Sequence, residues 1–339
     1  MTVTPSSHPG PAPDRLDSTA QLMTRFTAQL HTQLRSIRPP RPLPACADAG
    51  APVLVAVAHG SRDPAAQRTV ETLLASVRAM RPGLRVELGH IELNEPALSR
   101  SLTGLPAGGE AVLVPLLFGR GHHVKHDIPR ALAGASHLRA TVAQPLGPHP
   151  LLAAALHDRL REAGWPDPEG SDWPDPADTD WPDPEGTGSA AVVLATAGSR
   201  DPESAAGAER TAEQLHERLS GAAPVPVLCA YASAARPTVA EAVQQLRADG
   251  HSRIAVASCF TAPGHFAARC AAEAPWIAAA PLGAHPALAQ LVLHRFDEAR
   301  AAVGRSAGAG ADAVAAVGAG AGAAAGAGNA TAGVSLVRA

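Results

Sequence analysis

The chain has 339 residues, enough for two domains, and 46% of them are hydrophobic, enough for a core in each. Its net charge is −3, from 28 basic and 31 acidic residues, so no strong electrostatic field favours nucleic acid or an anionic membrane. Aromatic residues make up 3%, which argues against stacking platforms for single-stranded nucleic acid.

Targeting and cysteine patterns indicate a cytoplasmic protein. The first 13 residues lack a basic segment followed by an apolar core, so no secretory signal is expected. Residues 313–328, rich in Ala and Gly, are too few and too poor in large apolar side chains for a membrane span. The four cysteines form no C-x-x-C pair, so neither a zinc knuckle nor a disulfide framework is expected.

Composition divides the chain into five segments. Residues 1–50 are a Pro-rich extension with one predicted amphipathic helix. Residues 52–164 and 189–303 each alternate predicted strands and helices. Between them, residues 165–188 repeat Trp-Pro-Asp-Pro at a period of eight, which favours an extended spacer. Residues 304–339 are mostly Ala and Gly, and their glycine density predicts a disordered tail.

The first of the two larger segments is predicted to be an α/β domain with a parallel sheet. Apolar runs bounded by Gly and Pro predict strands at residues 53–58, 85–93, 111–118 and 138–145. Helical patterns predict helices at residues 65–80 and 150–163, and others that begin at 96 and 127. This alternation is typical of βαβ units.

The second α/β segment is a copy of the first. Three stretches recur at offsets of 138, 142 and 136 residues: His59–Pro64 as Ala197–Pro202, Phe118–Val124 as Phe260–Phe266, and Pro145–Pro150 as Pro281–Pro286. The offsets are close enough to represent one register with small insertions and deletions. Because Ala197 replaces the first histidine, we predict one working site and one scaffold copy.

Candidate metal donors follow three different strands of the first copy. Ligands bind at the carboxyl ends of the strands in an open parallel sheet, and this is where His59, Glu92 and the pair His122–His123 are predicted to lie. Two imidazoles and a carboxylate can hold a divalent first-row metal and can accept protons. Each residue also has an ordinary alternative, a hydrogen-bonded turn histidine or a solvated charge, and His122 and His126 are both read as loop histidines.

Two further histidines recur in both copies. His149 precedes Pro150 and His285 precedes Pro286, at predicted helix starts. Since His285 is present in the copy that lacks the first histidine, we interpret both as structural.

The motifs of the first domain, taken as a set, resemble the sirohydrochlorin chelatase family of the CbiX and SirB type. They are His59-Gly60-Ser61-Arg62, Ile91-Glu92-Leu93 with Pro96, and Pro115–Phe118 followed by Gly121–Val124 and Asp127-Ile128-Pro129. The resemblance implies two flavodoxin-like domains that face each other, here fused and expected to form a monomer. It also implies insertion of Fe²⁺ or Co²⁺ into sirohydrochlorin, without ATP or another nucleotide.

The resemblance assigns roles to residues of the first domain. It places the family's first histidine at His59, its second at His123 and its acidic residue at Glu92, as metal ligands and proton acceptors. Sirohydrochlorin carries many carboxylates, so cations that flank the motifs are candidate substrate-binding residues. These are Arg62, Arg120, Lys125 and Arg130.

The second domain departs from the family pattern. Ala197 stands for the first histidine and Ser233 stands near the position of Glu92, whereas His265 remains. A carrier of metal or tetrapyrrole with the same fold is the alternative function. A histidine phosphatase is a remote one, because it requires an arginine where this chain has Ala58.

Overall fold

A computed structural model describes residues 51–166, 189–220 and 224–321. The predicted N-terminal helix, the Trp-Pro-Asp-Pro linker after Pro166 and the end of the Ala/Gly tail lie outside these residues. In the described ranges, no helix is both long enough and apolar enough to cross a membrane.

The first half is built on a four-stranded parallel sheet in the order β2-β1-β3-β4. The strands are β1 (Val53–Ala58), β2 (Val86–His90), β3 (Glu110–Pro115) and β4 (Arg139–Val142). All six residues of β1 are buried, because helices cover both faces of the sheet. The strand order is the flavodoxin-like one, which places a ligand site between the ends of β1 and β3.

The helices of the first half connect these strands. They are α1 (Pro64–Met80), α2 (Leu98–Thr103), α3 (Ile128–Ala133) and α4 (Pro150–Glu162), with a π-helical turn at His123–Asp127 directly before α3.

The second half repeats this plan with a three-stranded parallel sheet, β6-β5-β7. Its elements are β5 (Ser189–Thr196), α5 (Pro202–Leu219), β6 (Val227–Tyr231), α6 (Val239–Ala248), β7 (His251–Ser258), α7 (His265–Ala272) and α8 (Pro286–Ala321). In place of a fourth strand, a single parallel bridge joins Val256 to Ala278. The prediction of two duplicated α/β domains with parallel sheets is confirmed.

The last helix of each half packs against the other half. Helix α4 contacts α5 and β7, and helix α8 contacts α1 and β3. Arg159 donates to the carbonyl of Leu282 at 2.8 Å, and Arg81 donates to both carboxylate oxygens of Asp297 at 2.7 and 2.6 Å. One hydrophobic core, which includes Leu54, therefore runs through both halves.

Two segment predictions are wrong at their boundaries. Trp165, predicted to start the linker, is 4% exposed and its ring lies 5.5 Å from that of Trp276, because a large aromatic side chain gains more from burial than from solvent. Helix α8 continues to Ala321, although residues from 304 were predicted to be disordered. Alanine is the strongest helix former, and the helix extends from an end already fixed by packing.

Candidate active site

The first side of the site is a tight turn after β1. Gly60 has φ +106°, and a Cβ there would lie 1.8 Å from the carbonyl oxygen of Glu92, so only glycine allows the two loops to meet. The Glu92 N–H donates to the His59 carbonyl at 3.0 Å. Asn94 closes the contact, since its Oδ1 accepts from the N–H of Ser61. These contacts bring the Glu92 and His59 side chains together.

His59 and Glu92 face each other at the end of the sheet. His59 Nε2 lies 3.5 Å from Glu92 Oε1, and the side chains are 44% and 50% exposed. His59 Nδ1 lies 3.2 Å from the carbonyl of Gly60. A proton on Nδ1 would satisfy that carbonyl and leave the Nε2 lone pair directed at the carboxylate. The pair can then share a cation or exchange a proton.

The second side of the site is the π-helical turn after β3. Single π turns are common at functional sites, and this one forms because the Ile128 N–H reaches the carbonyl of His123. His123 Nδ1 lies 2.7 Å from Asp127 Oδ2. This hydrogen bond is the main reason that the pKa of Asp127 is lowered from its usual value. The carboxylate is therefore ionised at neutral pH and accepts the His123 Nδ1–H, which leaves Nε2 as the free donor atom.

The turn places His123 against His59. Their ring centroids are 4.6 Å apart and the rings are nearly perpendicular, at 88°. The structure thus brings together all three donors that the sequence predicted. Across the described ranges, no group of three or more His, Cys, Asp and Glu side chains is arranged so that it could hold a metal ion. Ligation by the three together stays a prediction.

A cavity of about 990 Å³ separates the two halves at the ends of their strands. From the first half, His59, Glu92 and His123 line it with Arg62 and the apolar chain around Leu116. The cavity is at the upper end of the usual volume for ligand pockets, so it can take a large ligand.

The second half supplies the opposite wall without the same donors. The Ser233 N–H donates to the carbonyl of Ala197 at 3.1 Å, the same contact that Glu92 makes with His59. Gly198, at φ +86°, repeats the close approach, since a Cβ there would lie 1.9 Å from the Ser233 carbonyl. Ser233 is therefore the structural counterpart of Glu92. The second half repeats the backbone of this turn but lacks the side chains of His59 and Glu92.

His265 lacks the partner that orients His123. Arg269 stands four residues after His265, where the first half has Asp127, and its guanidinium donates to the carbonyl of Ala232 at 2.8 Å. The next residue, Phe266, lines the cavity and is 43% exposed. This wall is therefore suited to apolar contact with a ligand. Asp127 and Phe266 were not predicted as site residues, although the i, i+4 spacing of His123 and Asp127 was a usable signal.

Of the four predicted substrate-binding cations, Arg62 lines the cavity and the other three do not. Lys125 Nζ binds the carboxylates of Asp201 and Glu203 at 2.6 and 2.8 Å, and Arg120 lies 3.7 Å from Glu203. The hydrogen bond to Asp201 is the main reason that the pKa of Lys125 is raised.

Arg130 is 77% exposed and lies 3.8 Å from Asp127. All three cations thus lie near protein carboxylates, and a role for them in binding substrate stays a prediction.

The two histidines interpreted as structural cap helices. His149 Nδ1 accepts from the Leu151 N–H at 3.1 Å, at the start of α4. His285 Nδ1 accepts from the Ala287 N–H at 3.2 Å, at the start of α8. Burial lowers the pKa of both, which favours the neutral ring that can accept.

Two similar parallel α/β domains that enclose one histidine-lined cavity define a duplicated α/β protein with a shared ligand site. The family profile of CbiX matches both halves, at residues 53–163 and 191–299, which is more than half of the 339 residues. The chain belongs to the CbiX family.

Known relatives agree with this assignment. Over 136 residues the chain is 30% identical to the sirohydrochlorin cobaltochelatase of Methanopyrus kandleri, in an alignment that covers 32% of this chain and 95% of that protein. Over 79 residues it is 35% identical to the sirohydrochlorin cobaltochelatase of Sulfurisphaera tokodaii, covering 23% and 66%. These short relatives thus match a part of the chain about the size of one half.

Solved structures show the same fold over both halves. SirB from Bacillus subtilis with Fe³⁺ superposes with a TM-score of 0.55 at 23% identity, covering 73% of this chain and 94% of that one. The structure of CbiX, described as the terminal enzyme for biosynthesis of siroheme in denitrifying bacteria, gives 0.52 at 23% identity, covering 73% and 99%.

Proposed function

We propose that this protein inserts a divalent metal ion, Co²⁺ or Fe²⁺, into sirohydrochlorin without a nucleotide. The observation that carries the proposal is the His59–His123 pair, with rings 4.6 Å apart, on the wall of a cavity of about 990 Å³. Relatives in the same family are named sirohydrochlorin cobaltochelatase. The metal is a substrate here, so the site needs to bind it and release it.

Metal insertion requires an ion and a base in the same place. The incoming M²⁺ bonds to the macrocycle nitrogens while two N–H protons leave, so charge and atoms balance as M²⁺ in and two H⁺ out. His123 Nε2 binds the ion, since Asp127 holds its Nδ1 proton at 2.7 Å. His59 Nε2 and Glu92, 3.5 Å apart, bind the ion on the other side or accept the protons.

The second half positions the macrocycle. With Ala197 and Ser233 in place of a histidine and a carboxylate, this wall offers little competition for the ion. Phe266, 43% exposed in the cavity, offers a ring on which one face of the macrocycle can stack, and its other face then meets the imidazoles. Arg62 is the cation on the cavity wall for a peripheral carboxylate. Holding both substrates in one place supplies the proximity part of catalysis.

The test is an anaerobic insertion assay with Co²⁺ and Fe²⁺ in turn, followed by the absorption spectrum of the macrocycle. Imidazole and carboxylate donors suit both ions, so the assay compares their rates directly. His59→Ala and His123→Ala should each lower kcat by about 10²–10⁴-fold, as expected for loss of a base or ligand. His265→Ala is the matched control, and it should lower kcat much less because His265 has no carboxylate partner.

Three results would contradict the proposal. If the wild-type protein binds sirohydrochlorin and metal stoichiometrically but does not accelerate insertion, it is a carrier. Activity of His59→Ala or His123→Ala within about twofold of wild type, with unchanged circular dichroism, would refute the site, since a general base contributes far more. An equal loss from His265→Ala would show that both halves share the chemistry.

A further inference from the structure

A second pair of imidazoles lies at the rim of the cavity. The rings of His122 and His126 have centroids 4.7 Å apart, at 40° to each other. His122 lines the cavity with a side chain that is 69% exposed, and His126 is exposed outside it. The chemistry proposed above uses neither residue. We propose that His122 and His126 form an outer binding site for the divalent metal ion, from which the ion passes to His123 and His59.

The spacing of the two rings suits a shared metal ion. His122 directly precedes the π-helical turn and His126 lies four residues on, so the two side chains emerge on the same side of the backbone. Imidazole nitrogens bind first-row metals at about 2.0–2.1 Å, and two such rings on adjacent coordination positions have centroids about 5 Å apart. Two protein ligands, with water in the other positions, suit an ion that must exchange.

The surrounding charges favour a cation. Asp127 Oδ2 lies 3.9 Å from His122 Nε2, and its charge adds to the attraction for an ion at the pair, although Arg130, 3.8 Å from Asp127 Oδ1, offsets part of that charge. Lys125, the single lysine of the sequence, does not oppose this, because its ammonium is bound by Asp201 and Glu203 at 2.6 and 2.8 Å.

The outer pair is adjacent to the inner one. The ring centroids of His122 and His123 are 6.1 Å apart, and those of His123 and His59 are 4.6 Å apart. Neighbouring imidazoles thus connect the exposed His126 with the cavity. The second half has no such arrangement, since Gly264 and Ala268 stand at the positions of His122 and His126. The outer pair is therefore found in the half that contains His59 and His123.

The metal site itself can be tested with Co²⁺ alone. Equilibrium dialysis and visible absorption should detect Co²⁺ bound at the outer pair in the wild type. The double variant His122→Ala/His126→Ala should lose this bound Co²⁺, and the double variant His59→Ala/His123→Ala should keep it. His126→Ala alone, a change of one exposed side chain, should lower the affinity of the outer site for Co²⁺ at least tenfold. His251→Ala is the control for loss of an imidazole, because His251 begins β7 at the end of the strand away from the cavity. This variant should keep the bound Co²⁺. Unchanged Co²⁺ binding in the outer double variant would overturn the site.

The delivery role rests on the proposed function and is tested by insertion kinetics. The outer double variant should raise the KM for metal at least tenfold, more than it lowers kcat, because it removes capture of the ion. An unchanged KM for metal would overturn delivery. If the wild type does not accelerate insertion but loses Co²⁺ on outer-pair substitution, the proposed function fails while the outer site stands.

Discussion

The hydrogen bond between Asp127 and His123 offers a sharp test of how the site is oriented. We expect Asp127→Asn to lower both the affinity for metal and kcat, because the amide is neutral and can no longer hold the His123 Nδ1 proton by charge. The perturbed contact is 2.7 Å long, and its two side chains are 33% and 23% exposed. Asp127 makes no side-chain cap on α3, so the fold should tolerate the change.

The magnitude follows from the kind of bond that is lost. A hydrogen bond to a charged group contributes about 1.5–3 kcal/mol, and partial exposure places this one near the lower end. That corresponds to about a tenfold loss, within the about 10–100-fold range usual for partners of metal-ligating histidines.

The assay for this variant combines Co²⁺ titration, insertion kinetics and ¹⁵N NMR of the His123 ring. We expect the Nδ1-protonated tautomer in the wild type and a mixture of tautomers in Asp127→Asn. Asp249→Asn, the same chemical change at an exposed helix end, should behave as wild type. An Asp127→Asn protein with a wild-type tautomer and with activity within about twofold would refute the reasoning, since the orienting bond would then contribute nothing.

Two further predictions concern stability. Arg81→Met should destabilise the protein by about 1 kcal/mol or less, because the side chains of Arg81 and Asp297 are 36% and 47% exposed and solvent screens the pair. The hydrogen bond from Arg81 lowers the pKa of Asp297, so the stabilisation is present above the carboxyl's unfolded pKa and is lost as the pH falls through the depressed one. The difference in melting temperature between the wild type and Arg81→Met should therefore shrink as the pH is lowered. A difference that does not change with pH would contradict this. Gly60→Ala should destabilise by about 3 kcal/mol or more in urea unfolding, through strain and collision with the neighbouring loop. Gly83→Ala, at φ +90° with open space around it, should show the strain alone, and equal losses would refute the collision argument.

The parts of the fold that depend on local pattern were predictable. Buried apolar runs and strand–helix alternation predict the parallel sheets, and the carboxyl ends of parallel strands must meet at one edge. This is why His59, Glu92 and His123 could be placed together from sequence. The duplication also predicted the position of Ser233, which the Ser233–Ala197 hydrogen bond confirms.

The features that sequence reasoning missed depend on contacts between the halves. Lys125 was predicted to bind substrate, but it binds Asp201 and Glu203, which lie more than seventy residues further along the chain. The packing of α4 and α8 on opposite halves is likewise invisible in local periodicity. These outcomes depend on how the two halves pack together, and a sequence pattern within either half carries no information about that.

The replacement of one histidine by Ala197 has a consequence for how this protein can change over generations. In a dimer of identical short chains, symmetry repeats every substitution on both sides of the shared cavity. In a single fused chain, each wall has its own codons. Under the proposed function, the wall with Ala197 and Phe266 is then free to follow the shape of the macrocycle, while the wall with His59 and His123 stays under the demands of metal chemistry. Joining the two copies thus separates two kinds of selection that a symmetric dimer has to satisfy with one surface.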